Sequence, residues 1–497
     1  MSGLLVLVPL RIEQLALGRR PGTRTLRTGM GPDRARIAAA RALAHSAPAL
    51  AVAGVCAGID PALRAGDVLC ATELVGEDGA RVAVPGSSLL AAALRRRGLR
   101  VHLGPLASAG RILSPSERRQ LSGRALAVDM ESAWLAAGAD GRPLAVVRVV
   151  ADSSERRLAD PRILVAGSIA LRSLRRVAGA LSEWAAAVAP RTVLLAGPRS
   201  FCAGVDRAID VIELALEQRS APVYVRKQIV HNEHVVADLE QRGAIFVEEL
   251  DEVPDGATLV FSAHGVSPAV RQDAAVRRLE VIDATCPLVS KVHAEARRFA
   301  AEGKTIFLIG HEGHEEVEGT YGEAPASMRL VENIEAALSV DAPEPENVAY
   351  LTQTTLAVDE TDEIVGKLRE RFPALRGPGS EDICYATSNR QHAVRSVAQD
   401  ADVVLVAGSQ TSSNSKRLVE VAERQGARAY LVDDEADVDV AWLAGAATVA
   451  ITAGASAPES LVHRLVGALA ALGPVDVEER TQTTESLRFR LPRELVK

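Results

Sequence analysis

Aromatic residues are scarce in this chain: Phe, Trp and Tyr together make up 3% of its 497 residues. That argues against the stacked aromatic platforms that hold single-stranded nucleic acid. An excess of basic charge is missing too. At a formal net charge of -7 the chain lacks the basic stripe of a nucleic-acid binder, so no nucleic-acid partner is expected. No lysine precedes Lys227. Long membrane-spanning runs are also absent. The two uncharged stretches, 42–59 and 440–458, are broken by His45, Ser46 and Pro48 in one and by Gly445 and Gly454 in the other. Each reads as a helix or loop end joined to a buried strand. The apolar residues 1–10 have no positive segment before them and no cleavage-like site after, so a cytoplasmic protein with no membrane partner is expected. A disulfide framework is unexpected as well. The five cysteines, Cys56, Cys70, Cys202, Cys286 and Cys384, are odd in number and contain no CxxC pair. They are either inert buried thiols or ligands of a soft metal centre.

The length implies two or more domains. Apolar residues recur at helical spacing from Leu164 to Val188 and stop at Pro190, and a new strand, Thr192 to Ala196, follows. The expected domains are therefore 1–189 and 190–497. In the second, short apolar runs such as 193–197, 259–263, 306–310 and 403–408 alternate with helical stretches. This pattern reads as α/β with parallel sheets, in which ligands gather beyond the carboxyl ends of the strands.

Cys202, Cys286 and Cys384 stand at such turns among polar residues, where packing gives no reason to choose sulfur. Thiolates ligate iron–sulfur clusters, usually four at a time. Three would leave one iron open to act as a Lewis acid on a substrate oxygen. Zinc held by cysteine and histidine is the rival. Eight of the ten histidines lie in the second half, and His231, His264 and His314 each follow an apolar run that aims them at one cleft. The run His311–Thr320 does not match HExxH, and Gly313 interrupts the helix that motif needs. The hydroxyl-rich run Thr411–Ser415, with Ser412, Ser413 and Asn414, opens a helix after a strand. Ser456 repeats the arrangement in Thr452–Glu459. Both read as anion cradles at helix N-termini.

The ordered strings Phe201–Val205, Val230–Asn232, Ser262–Ser267, Asp283–Val289, Gly313–Thr320, Thr352–Leu356, Asp382–Gln391, Ser412–Ser415 and Thr452–Pro458 resemble the LytB-type 4-hydroxy-3-methylbut-2-enyl diphosphate reductases. These enzymes catalyse the last step of the non-mevalonate isoprenoid pathway, and the resemblance spans about 191–488. It implies three pseudo-symmetric α/β lobes around a central [4Fe-4S] cluster held by Cys202, Cys286 and Cys384. The substrate hydroxyl would meet the iron that lacks a cysteine. His231, His264, Ser412, Ser413, Asn414 and Ser456 would grip the diphosphate, and His314 would join that network. Glu316, relayed through Thr354, would supply the proton that lets water leave. An external donor of the ferredoxin or flavodoxin type would feed electrons, giving isopentenyl and dimethylallyl diphosphate. An iron–sulfur hydro-lyase and a zinc-stabilised binding protein are the alternatives.

In the first half, Gly29–Gly31, Ala53–Gly58, Val128–Ala133 and Val146–Asp152 resemble the purine nucleoside phosphorylase and nucleosidase superfamily, particularly its hopanoid-associated branch, over about 4–181. The resemblance implies an α/β domain in which Glu131 binds ribose hydroxyls and Asp152 protonates the base, with Glu13 at another acidic position. The segment is short for that family and has few aromatics to stack on a base. It is read either as an active domain or as a degenerate, non-catalytic one, with Cys56 and Cys70 structural.

Overall fold

The computed structural model describes residues 3–152, 162–219 and 222–496. They form two compact units. One comprises Met1–Val193, Asp434–Val449 and His463–Val477; the other comprises Leu194–Asp433, Ala450–Val462 and Glu478–Lys497. No helix among the described residues is long and apolar enough to cross a membrane.

Among the described residues the first unit is built on eight strands: β1 (Leu4–Val8), β2 (Thr23–Arg27), β3 (Ala49–Gly58), β4 (Val68–Val75), β5 (Arg81–Ala83), β6 (Val101–Ser108), β7 (Ala127–Asp129) and β8 (Leu144–Asp152). Their order is β2-β1-β3-β7-β6-β4-β5, and β8 pairs with both β3 and β4. Strands β3, β7, β6, β4 and β8 therefore close into a ring. The inner strands are near-continuous apolar runs; β1, Leu-Leu-Val-Leu-Val, is buried at every position, as a strand covered on both faces must be. The expected 164–188 helix is present as Arg162–Ala186 and packs on β8 and β3. Of the uncharged stretches, 42–59 is a helix end followed by β3, and 440–458 is a short 3-10 turn followed by a strand.

The other described residues are α/β, with twelve further strands in three sheets. In chain order these are β9 (Arg191–Gly197), β10 (Val223–Arg226), β11 (Ala244–Val247), β12 (Thr258–Phe261), β13 (Glu280–Asp283), β14 (Thr305–Ile309), β15 (Met328–Val331), β16 (Val348–Thr352), β17 (Val403–Ala407), β18 (Arg428–Val432), β19 (Thr448–Ala453) and β20 (Val475–Thr481). The sheet orders are β11-β10-β12-β13, β15-β14-β16 and β18-β17-β19-β9-β20. Every pairing in the first two is parallel. Parallel strands put all their carboxyl ends on one edge, where a site can form.

Three helices tie these sheets into a cycle. Ala203–Gln218 follows β9 of the third sheet, but its Val205, Ala208 and Ile212 pack into the core of the first with Val223, Val225 and Val260. Pro287–Ala301 follows β13 of the first sheet, but its Val292, Ala296 and Phe299 pack with Ile306 and Leu308 of the second. Tyr385–Ala398 comes after β16 of the second sheet, but its Ala393, Val394 and Val397 pack with Val404 and Val406 of the third.

Candidate functional site

Each of those three helices begins at a cysteine. Cys202, Cys286 and Cys384 are the N-caps, all with extended backbone (ψ 165°, 132° and 148°). Pro287 at the first helical position explains why Cys286 cannot itself be helical. The sulfur thus takes the place usually held by Ser or Asp. Cys384 Sγ accepts the Thr387 N–H at 3.3 Å and lies 3.1 Å from Thr387 Oγ1. Since each cysteine stands where the chain leaves one sheet and enters a helix of the next, the three lie at the junctions between lobes and line one cavity of about 100 Å³. Burial pushes the Cys286 thiol up to about 12 and that of Cys384 up to about 11.

A second cycle pins the thiol loops. Arg207, on the Cys202 helix, donates to the carbonyls of Ala284 and Thr285 just before Cys286 (3.0 and 3.1 Å). Lys291, on the Cys286 helix, donates to Ser380 and Glu381 O just before Cys384 (2.7 and 2.8 Å). Arg390, on the Cys384 helix, donates to Ser200 and Phe201 O just before Cys202 (2.7 and 3.3 Å). Arg390 is fully buried and also pairs with Glu485 at 3.1 Å. Arg390→Met leaves that carboxylate and two carbonyls without their cation. It is expected to cost about 3–5 kcal/mol, read as a lower midpoint in denaturant unfolding.

Across the cavity stand three imidazoles. His231 stacks on His264 with centroids 4.2 Å apart, and His314 meets them edge-on at 5.4 and 5.9 Å. Burial, reinforced by the neighbouring imidazoles, takes His231 down to about 2 and His314 down to about 3, so both are neutral. Ser412 is the N-cap of the helix Ser413–Arg424, and its side chain accepts the Ser415 N–H. Ser456 Oγ donates to His231 O at 3.0 Å. Several buried polar atoms of residues lining this space have no hydrogen-bond partner: His231 Nε2, Ser413 Oγ and both amide atoms of Asn414. Such groups are costly to leave unpaired, and their convergence marks a polar ligand.

Glu316 lies on the same wall, 2% exposed. Its Oε1 accepts the Thr354 N–H at 2.6 Å and its Oε2 accepts from Thr354 Oγ1 at 3.1 Å. Burial raises its pKa and outweighs those donors, so the carboxyl tends to keep its proton. The three thiols, His231, His264, His314, Glu316, Thr354, Ser412, Ser413, Asn414 and Ser456 therefore all line this one cavity.

The first unit has its own cavity of about 250 Å³, lined in part by Glu131 and Asp152. Asp152, the last residue of β8, pairs through Oδ2 with buried Arg118 at 2.9 Å, while its buried Oδ1 has no partner. Glu131 accepts the Gly31 N–H at 3.2 Å and lies 3.5 Å from Arg148, which also binds Asp129 at 2.6 Å. Glu13 accepts the N–H groups of Leu10 and Val55. Burial raises the pKa of both Glu13 and Glu131. Cys56 and Cys70 are buried in β3 and β4, and Cys56 reaches the cavity wall.

Residues 193–470 match the family described as LytB protein. The chain belongs to the LytB family. Within that region it is 57% identical over 308 residues to 4-hydroxy-3-methylbut-2-enyl diphosphate reductase 2 of Mycobacterium bovis, covering 61% of this chain and 94% of the relative. It is 60% identical over 306 residues to the 4-hydroxy-3-methylbut-2-enyl diphosphate reductase of Acidothermus cellulolyticus, covering 61% of this chain and 90% of the relative. Among solved structures, the E-1-hydroxy-2-methyl-but-2-enyl-4-diphosphate reductase of Plasmodium falciparum superposes with a TM-score of 0.60 at 39% identity, over 62% of this chain and 98% of that one. Residues 24–166 match the Phosphorylase superfamily, in agreement with the resemblance of the first half.

Sequence reasoning missed several residues of the LytB site. Tyr385 and Thr387 follow Cys384 directly, and their place in the first turn of a cysteine-capped helix was the available signal. Arg207, Lys291 and Arg390 fall five or six residues after each cysteine, a repeat that becomes readable once the three cysteines are taken as equivalent. Arg118 and Arg148 of the first unit had no such signal.

Proposed function

We propose that the chain reductively dehydroxylates 4-hydroxy-3-methylbut-2-enyl diphosphate, giving isopentenyl and dimethylallyl diphosphate, with Cys202, Cys286 and Cys384 holding a [4Fe-4S] cluster. The observation that carries this reading is the convergence of three sulfur N-caps and four unpartnered polar atoms on one cavity. The donor set suits an iron–sulfur cluster. Gly204 also leaves space at the thiols: a Cβ there would sit 2.7 Å from Cys286 Sγ and 3.7 Å from Cys202 Sγ. When bound, the cluster supplies electrons one at a time and an iron not tied to cysteine.

The protein's own groups do the rest. His231, His264, Ser412, Ser413, Asn414 and Ser456 bind the diphosphate and fix the hydroxyl end toward the thiols, with His314 in the same network. Glu316, held by Thr354, delivers the proton that converts the leaving hydroxyl to water. Overall the allylic alcohol takes up two electrons and two protons and releases one water, so an external one-electron donor of the ferredoxin or flavodoxin type is required. The test is anaerobic incubation of the full chain with substrate and a chemical reductant. Reductant-dependent appearance of both isomeric diphosphates supports the reading; consumption without reductant identifies a hydro-lyase instead.

We further propose that residues 1–189 form a nucleoside-binding domain, with the LytB-type reductase occupying 190–497. The free Asp152 Oδ1 and the buried Glu131 in one cavity support it. Glu131 addresses ribose hydroxyls and Asp152 the base. Titrating the full chain with adenosine should give saturable binding that Glu131→Ala weakens about 10-fold or more. Free adenine released with or without phosphate would distinguish phosphorolysis, hydrolysis and binding alone.

A further inference from the structure

The three imidazoles of the LytB cavity differ in what their Nδ1 atoms face. His314 Nδ1 accepts the Glu316 backbone N–H at 3.2 Å, which leaves the hydrogen of this neutral ring on Nε2. His231 Nδ1 faces the Gln228 side-chain oxygen at 3.4 Å. His264 Nδ1 lies 3.2 Å from Glu315 Oε2, with both side chains largely buried. Burial pushes the Glu315 carboxyl up, but the hydrogen bond and charge of His264, with the charge of Lys227, outweigh it and hold it below the usual value. Glu315 is therefore ionised and can only accept, so the shared hydrogen belongs to His264 Nδ1. With Nδ1 committed in this way, the far nitrogen of His264 donates to an anion only if the ring carries a second proton.

Lys227, Lys416 and Glu316 also act on these rings. Lys227 pairs with Glu318 at 3.3 Å, and His264 also meets the hydroxyl of Ser262 at 3.5 Å and the rings of His231 and His314. We infer that Glu315 is a positioning residue: its carboxylate takes the Nδ1 hydrogen of His264, fixes the ring in the cavity wall and supports the charge the ring needs in order to donate to a diphosphate. A carboxylate behind an imidazole fixes its tautomer and favours the imidazolium, and a charge-assisted bond to phosphate is about twice as strong as a neutral one.

This inference rests on reading the cavity as a diphosphate site, so its test uses inorganic pyrophosphate as well as substrate. Glu315→Gln in the full-length holoenzyme should raise KM and weaken pyrophosphate binding by calorimetry about 10-fold, while kcat changes less than about twofold. Glu315→Asp should recover most of the affinity. Adding His264→Asn to Glu315→Gln should cost little more than His264→Asn alone, because the two act as one unit. Unchanged pyrophosphate affinity in Glu315→Gln, or a fall in kcat at constant KM, would overturn the inference. Wild-type protein that fails to bind pyrophosphate would overturn the diphosphate reading itself, and this inference with it.

Discussion

Replacing Cys286 with serine is expected to lower reductase turnover by about 10³-fold or more and to remove most of the bound iron and sulfide. Metal assistance is worth several kcal/mol of barrier, and each 1.36 kcal/mol is a factor of ten. Serine is a favoured N-cap residue, so it suits the start of the helix Pro287–Ala301 at least as well as cysteine. The helix should therefore survive while the soft ligand is lost. Cys202→Ser and Cys384→Ser should behave alike, since all three residues have the same place at a sheet-to-helix junction. Cys70→Ser is the control. That residue is buried in a strand of the first unit, so its loss should leave iron content unchanged. Iron and sulfide assays on anaerobically purified variants, beside turnover with a chemical reductant, check these outcomes together.

The second large effect is expected at Glu316. Glu316→Gln keeps the shape and an acceptor for Thr354 but has no proton to give, and removal of a general acid typically costs 10²–10⁴-fold. Its pH dependence has a definite sign. Burial raises the Glu316 pKa, so the active, protonated form persists above the usual carboxyl range. Turnover should be highest below the raised pKa and fall as pH climbs through it. The variant should lose that fall and show a low, flat profile over the same window. Comparison of kcat against pH for both proteins decides this. Equal rates, or an unaltered alkaline decline in Glu316→Gln, would remove Glu316 from the role of acid.

The individual pieces of this site were legible in the sequence, while their meeting was not. Cys202, Cys286, the three histidines and the hydroxyl-rich turns follow apolar runs, so a position beyond a strand end could be read locally, whereas Cys384 showed only that it precedes a helix. The pair Glu316–Thr354 spans 38 residues and the pair His264–Glu315 spans 51, and no periodicity encodes contacts of that range. The resemblance supplied Glu316 and Thr354; nothing supplied Glu315, because an acid in the first helical turn reads as an ordinary partner of the helix dipole. The cyclic exchange of helices among sheets was hidden for the same reason: a strand followed by a helix gives no sign of which sheet the helix will cover. In the first half, Glu131 and Asp152 came from the resemblance, whereas Arg118 and Arg148 were indistinguishable from the many surface arginines of an arginine-rich segment until their burial was seen. A single cut near residue 190 likewise assumes a continuous domain, while the compact unit that begins the chain also takes in 434–449 and 463–477.

The most direct measurement is elemental: iron and acid-labile sulfide per chain in the full-length protein, purified without oxygen. Three thiols around one cavity should retain about four of each, lost together when any one of the three becomes serine. A single zinc per chain, or iron that persists in all three serine variants, would contradict the shared cluster and with it the reductase chemistry built on it.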